Sequence, residues 1–197
     1  MPEAHEELEH AEHAEHAAGA NKKVALVIVI IALFLAFSEL LGKSANTEAI
    51  TLNILVSDTW NFFQAKNIRR TVVLTAAEAA KAETAALGER AATPEIAKQI
   101  GEWEKTAARY RSEPETREGT TELMERAKQA EHDRDLALAR YHNYELASVA
   151  FQIGIVLCSA AVITTMIWLA WIASGVAALG MIFMALGLFA PHALHLG

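Results

Sequence analysis

The feature that most restricts this chain is a run of about 45 residues, Leu146 to Ala190, without a single Asp, Glu, Lys or Arg, against the about 20 apolar residues that one membrane crossing needs. At a rise of about 1.5 Å per residue the run suffices for two crossings and a turn. A soluble helix of that length would keep a polar face, and none is present. The expectation is an integral membrane protein whose last quarter crosses the bilayer twice.

Charge is segregated along the rest of the chain. The net charge of −7 and the 53% hydrophobic content average over charged stretches before Val24 and between Lys43 and Glu145, with almost uncharged stretches elsewhere. That is the pattern of a membrane protein carrying a soluble insert. An acidic balance excludes nucleic acid as the expected partner, because phosphate binding needs a basic surface. The single cysteine, Cys158, sits inside an apolar run, so no intrachain disulfide can form.

In chain order, residues 1–23 read as an acidic, histidine-rich tail built on a Glu-His-Ala triplet. His10, His13 and His16 fall on neighbouring turns of a helix and are the candidate metal ligands, expected to bind exchangeably. The tail itself is expected to be solvated and partly disordered. Residues 24–42 form the first span, with Lys22 and Lys23 at its entry and Glu39 as an acid in its last turn. An intramembrane carboxylate is a functional candidate, although one so near the end can reach the headgroups.

Residues 43–146 read as a helical hairpin, coiled-coil-like and without strands. In its first arm Leu52, Leu55, Val56, Phe62 and Phe63 recur at helical spacing and predict one apolar face. Asn46, Asn53, Ser57, Asn61 and Gln64 predict a second face that is polar but uncharged. Val73, Ala77, Ala80, Thr84 and Leu87 follow in heptad-like spacing, and Gly88 is the first stop signal. Thr93-Pro94-Glu95 starts the next helix, whose Ile96, Ile100, Trp103, Ala107 and Tyr110 form an a/d stripe. Pro114 and Gly119 break it, and a last helix from about Thr121 runs into the membrane.

Residues 147–171 are the second span, with Gly154 and Cys158 in a stripe of small residues suited to close helix contact. Ser174-Gly175 is the expected turn, residues 174–190 the third span, and residues 191–197 a short tail. The fold class is therefore an all-α membrane protein with three transmembrane helices and a long insert between the first two.

The stretch Trp60-Asn61-Phe62-Phe63-Gln64-Ala65-Lys66, with Ile68-Arg69, the EHAEHAEH tail and the AFSELLGKSA boundary, resembles the bacterial membrane-protein family called domain of unknown function 4337. The resemblance implies one span, a long insert and two further spans, and a bacterial cytoplasmic membrane location. It implies no substrate, cofactor or mechanism.

The sequence carries no phosphate-binding glycine loop, no zinc spacing of Cys and His, and no nucleophile elbow. Its insert carboxylates interleave with Lys and Arg, as on a solvated helix face. The expectation is a protein that is not an enzyme and holds no cofactor. Two functions follow: a scaffold that self-assembles through its insert and small-residue spans, or a homo-oligomeric channel whose path is lined by the Asn/Ser/Gln face. Trp60, Phe62, Phe63, Gln64, Lys66, Gly154 and Cys158 are the candidate interface residues. The expected partners are the lipid bilayer, further copies of the chain and, as a further candidate, another membrane protein. Lys22 and Lys23 point to a cytoplasmic N-terminus by the positive-inside rule.

Overall fold

The computed structural model describes residues 3–88 and 93–193, with side chains from residue 22 onward. Among these residues there are four α-helices and no strand: α1 (Glu3–Leu87), α2 (Pro94–Arg111), α3 (Thr120–Thr164) and α4 (Ile167–Phe189), followed by a 3₁₀ turn at Pro191–Ala193. The all-helical expectation therefore holds, and three of the helices contain stretches long and apolar enough to cross a membrane.

Helix α1 runs from Glu3 to Leu87; the expectation of a partly disordered tail at its start falls on residues whose side chains lie outside the described ones. The other end of α1 follows the sequence signal: the helix stops at Leu87, and Gly88 takes φ 68°, a left-handed value that glycine adopts without a Cβ penalty. Thr93 caps α2 by accepting the Ile96 N–H at 3.4 Å, with Pro94 in the first turn where its missing N–H costs nothing.

The helices group into two compact units, one formed by residues Met1–Ala49 and Asp135–Gly197, the other by Ile50–Arg134. In the first, a core of Ile31, Ala147, Phe151, Cys158, Ala173 and Ala177 joins α1, α3 and α4, with Phe34 and Phe183 packed against it. Phe34 and Phe151 stack with ring centroids 6.1 Å apart. Outside this core Leu26, Leu33, Phe37, Val156, Ile163 and Leu179 are all about half exposed or more. A helix bundle whose interior is rich in small residues while large aliphatic ones cover its outside departs from the usual soluble order.

One sequence expectation is corrected here. The turn between the last two long helices lies at Thr165–Met166, not at Ser174-Gly175, and α3 ends at Thr164 rather than near residue 171. Ser174 is inside α4, where its Oγ donates to the Ala170 carbonyl at 2.9 Å. Thr165 makes the reversal with φ 57°, a conformation that no β-branched residue advertises. In consequence α4 has 23 residues, enough for a full crossing.

In the second unit α2 and the start of α3 run back along α1. The partners of α1 descend in sequence as α1 ascends: Trp60 meets Glu131, Lys66 meets Glu113, and Lys81 meets Glu104. Val56, Ala77, Ile100, Ala107, Leu123, Ala127 and Ala130 are buried between them. The a/d stripe of α2 thus faces inward at Ile100 and Ala107, while Ile96 is 37% exposed. The break between α2 and α3 falls at residues 112–119, as Pro114 and Gly119 suggest.

Candidate functional site

The segment Trp60–Lys66 is the most distinctive stretch of α1, and the structure divides its side chains between two sides of the helix. Trp60 is half-buried: its Nε1–H donates to Glu131 Oε1 at 2.8 Å. Its ring meets Phe63 edge to face, with centroids 5.3 Å apart at 83°, a favoured aromatic geometry. Thr59, on the same side, is buried and donates to the Leu55 carbonyl at 2.7 Å.

Lys66 is the chemical centre of this region. Its side chain is only 8% exposed, and Nζ lies 3.1 Å from Glu113 Oε2 and 3.5 Å from Glu118 Oε2. The ammonium also stands 5.6 Å from the Phe62 ring and 5.8 Å from the Tyr110 ring. A buried cation is tolerated only with such partners, since desolvation is otherwise prohibitive. The hydrogen bond from Lys66 is the main reason that the Glu113 carboxyl sits below its ordinary range; partial burial opposes the shift.

The loop carrying Glu113 is itself fastened. Ser112 Oγ donates to Glu122 Oε1 at 2.5 Å, and the Glu113 N–H donates to Glu122 Oε2 at 3.4 Å. Thr120 Oγ1 donates to the Arg111 carbonyl at 3.3 Å. The Ser112 hydroxyl, then backbone N–H groups, lower the Glu122 carboxyl below its ordinary range. Glu122 stands in the first turn of α3, where a carboxylate also meets the positive end of the helix dipole. Lys66 therefore acts as a pin between α1 and this elbow. Its amine is committed to carboxylates and ring faces.

The apolar face expected on this arm is split. Val56 is buried and Leu52 and Phe63 half-buried, but Leu55 and Phe62 are 45% and 37% exposed. Asn53, Ser57, Asn61 and Gln64 are all exposed and Asn46 half-buried, so the uncharged polar face survives as an open surface. Interleaved with it are Ile50, Ile54, Ile68 and Val72, exposed by 56, 58, 64 and 62%.

In the other unit the small-residue stripe of α3 is filled from within the chain. Gly154 and Cys158 are buried, and a Cβ on Gly154 would stand 3.4 Å from the Ala173 carbonyl and 3.7 Å from Ala177 Cβ. The residues that complete this contact carry no expectation from the sequence: Gly180 lies under the Phe151 ring and Gly187 under the Tyr144 ring. Their signal is the heptad step on both helices, Tyr144 to Phe151 and Gly180 to Gly187, which places large side chains opposite small ones in antiparallel register. Ser38 of α1, fully buried, ties in by donating to the Tyr144 carbonyl at 2.8 Å. Its neighbour Glu39 faces outward and is exposed.

Among the described residues no group of three or more His, Cys, Asp or Glu converges as a metal site. His10, His13 and His16 lie where side chains fall outside the described residues.

The sequence model of the family described as Domain of unknown function (DUF4337) matches residues 20–190. No curated protein and no solved structure matches the chain.

Proposed function

We propose that this chain, which belongs to the DUF4337 family, is an integral membrane scaffold that crosses the bilayer three times and self-assembles through its helical insert. The observation that carries the reading is the surface of the first unit: its helices pack through Ala, Gly, Ser and Cys around a few large side chains such as Phe151 and Tyr144, and large aliphatic side chains cover the outside. That surface suits lipid tails. Residues 43–146 then form an antiparallel helical hairpin beyond the headgroups, with Lys66 pinning its elbow. Its contacts are those of a support, not of a reacting centre.

The scaffold is favoured over a channel lined by Asn53, Ser57, Asn61 and Gln64. Ile50, Ile54 and Ile68 share that side of α1 and would interrupt an aqueous lining, whereas alternating Ile and Asn suits a packed helix contact.

Extraction of membranes at alkaline pH tests the anchoring: the chain should stay in the pellet, and its release into the supernatant refutes the reading. For a bacterial inner membrane with the N-terminus in the cytoplasm, alkaline phosphatase inserted after Gly88 should be active. Activity of an N-terminal fusion alone would reverse the orientation and leave the anchoring intact.

A further inference from the structure

We infer that the outward side of α1 from Ile50 to Thr75 is the surface on which a second copy of this chain docks, parallel and with like residues facing each other. The inference rests on the self-assembling membrane scaffold proposed above and specifies the surface it uses.

Ile50, Ile54, Ser57, Asn61, Gln64 and Ile68 follow one another in steps of four and three residues, and the pattern runs on to Thr75. Steps of this kind keep one narrow stripe in line along a helix that supercoils with another. Every one of these positions is exposed within the single chain, because the α2 and α3 partners of α1 occupy its other side through Val56, Thr59, Lys66 and Ala77. No position of the stripe carries a charge, although Asp58, Lys66, Arg69 and Arg70 stand elsewhere on the same stretch. A neutral stripe offers nothing to a partner selected by charge. Its three isoleucines are costly to leave in water.

An identical copy matches it. Copies anchored in one bilayer by the same span enter it in the same sense, so their α1 helices run parallel. Each stripe residue then stands equally far along an unbroken helix from the span, which sets like against like: Ile54 on Ile54, Asn61 on Asn61, Ile68 on Ile68. Isoleucine at such positions packs well in parallel pairs, and an asparagine facing its counterpart fixes register. Neutrality removes the like-charge repulsion that self-matching would otherwise create.

Disulfide trapping in native membranes tests the surface. In full-length chains carrying Cys158→Ala, cysteine is introduced singly as Ile54→Cys, Asn61→Cys or Ile68→Cys, and as Leu55→Cys or Arg69→Cys for comparison. All five sites are exposed in the single chain, so exposure alone predicts equal yields. Copper-phenanthroline oxidation should give about fivefold more disulfide-linked dimer at 54, 61 and 68 than at 55 and 69, since a disulfide needs Cβ atoms about 4 Å apart. A lysine-reactive crosslinker on the unaltered chain separates the two levels of the argument. If it links copies while the stripe cysteines perform no better than the comparison pair, self-assembly stands and this surface is wrong. If neither reagent links copies and the detergent-solubilised chain is monomeric, self-assembly fails and the stripe with it.

Discussion

Gly187 of α4 lies so close beneath Tyr144 of α3 that a Cβ added to the glycine would stand 2.7 Å from the ring's Cε1. One heptad away the relationship repeats, with a Cβ on Gly180 meeting Phe151 Cε1 at 2.9 Å and the Ala147 carbonyl at 3.2 Å. Close packing of this kind replaces the hydrophobic effect as the force between helices in lipid. Gly180→Ala and Gly187→Ala should therefore each destabilise the α3–α4 pair, by about 1 to 3 kcal/mol as overpacking does. Gly175, with nothing within 4 Å of its added Cβ, serves as the control. Gly175→Ala should leave the unfolding midpoint in detergent unchanged or raise it through helix propensity. Equal losses at all three glycines would show that ring contact does not set the effect.

The pin at Lys66 makes a pH-dependent contribution whose sign follows from Glu113. The folded-state carboxyl lies below its ordinary value of 4.5, chiefly through the Lys66 hydrogen bond. A depressed carboxyl contributes stability that is complete above its unfolded value and is lost as pH falls through the lower folded one. The unfolding midpoint of the whole chain should thus fall on acidification below about pH 4.5. Lys66→Met keeps the length of the side chain but leaves Glu113 and Glu118 facing an apolar group. That variant should be less stable at neutral pH and lose less on acidification, because the Glu113 carboxyl no longer has the Lys66 hydrogen bond that holds it low. An acid limb of the same slope in both proteins would remove Lys66 as the cause.

How far the sequence carries the fold depends on which residues set each feature. The three helices long and apolar enough to cross a membrane were legible because charge segregation is a property of composition, and the cap at Thr93-Pro94 because it is local. The reversal at Thr165–Met166 was not, since neither residue signals a turn and Ser174-Gly175 does. Ser174 satisfies itself within α4 instead. The helical period predicted Leu52, Val56 and Phe63 facing inward but grouped Leu55 and Phe62 with them. Periodicity alone cannot say where a narrow neighbouring helix ends. In sequence Lys66 reads as a candidate interface residue of the Trp60–Lys66 stretch, not as a buried cation. Its burial depends on Glu113 and Glu118, which reach it only after the chain has turned at Gly88 and travelled back along α2.

The remaining expectation concerns Trp60, whose indole N–H bonds Glu131 at 2.8 Å while its ring edge meets Phe63. These contacts lie within one chain, so Trp60 should support the packing of α1 against α3 rather than hold a neighbour. Trp60→Phe keeps an aromatic ring but removes the donor, and it should lower the unfolding free energy by about 1 kcal/mol, the net worth of one hydrogen bond, with a matching fall in the midpoint. Glu131→Gln retains an acceptor and should cost less. In a double-mutant cycle the two changes should couple, since removing the donor makes the acceptor's identity immaterial. Particle size in mild detergent should be the same for all four proteins. Should Trp60→Phe instead separate the copies while the midpoint stays fixed, its indole would belong to the contact between chains, and the Glu131 bond would be incidental.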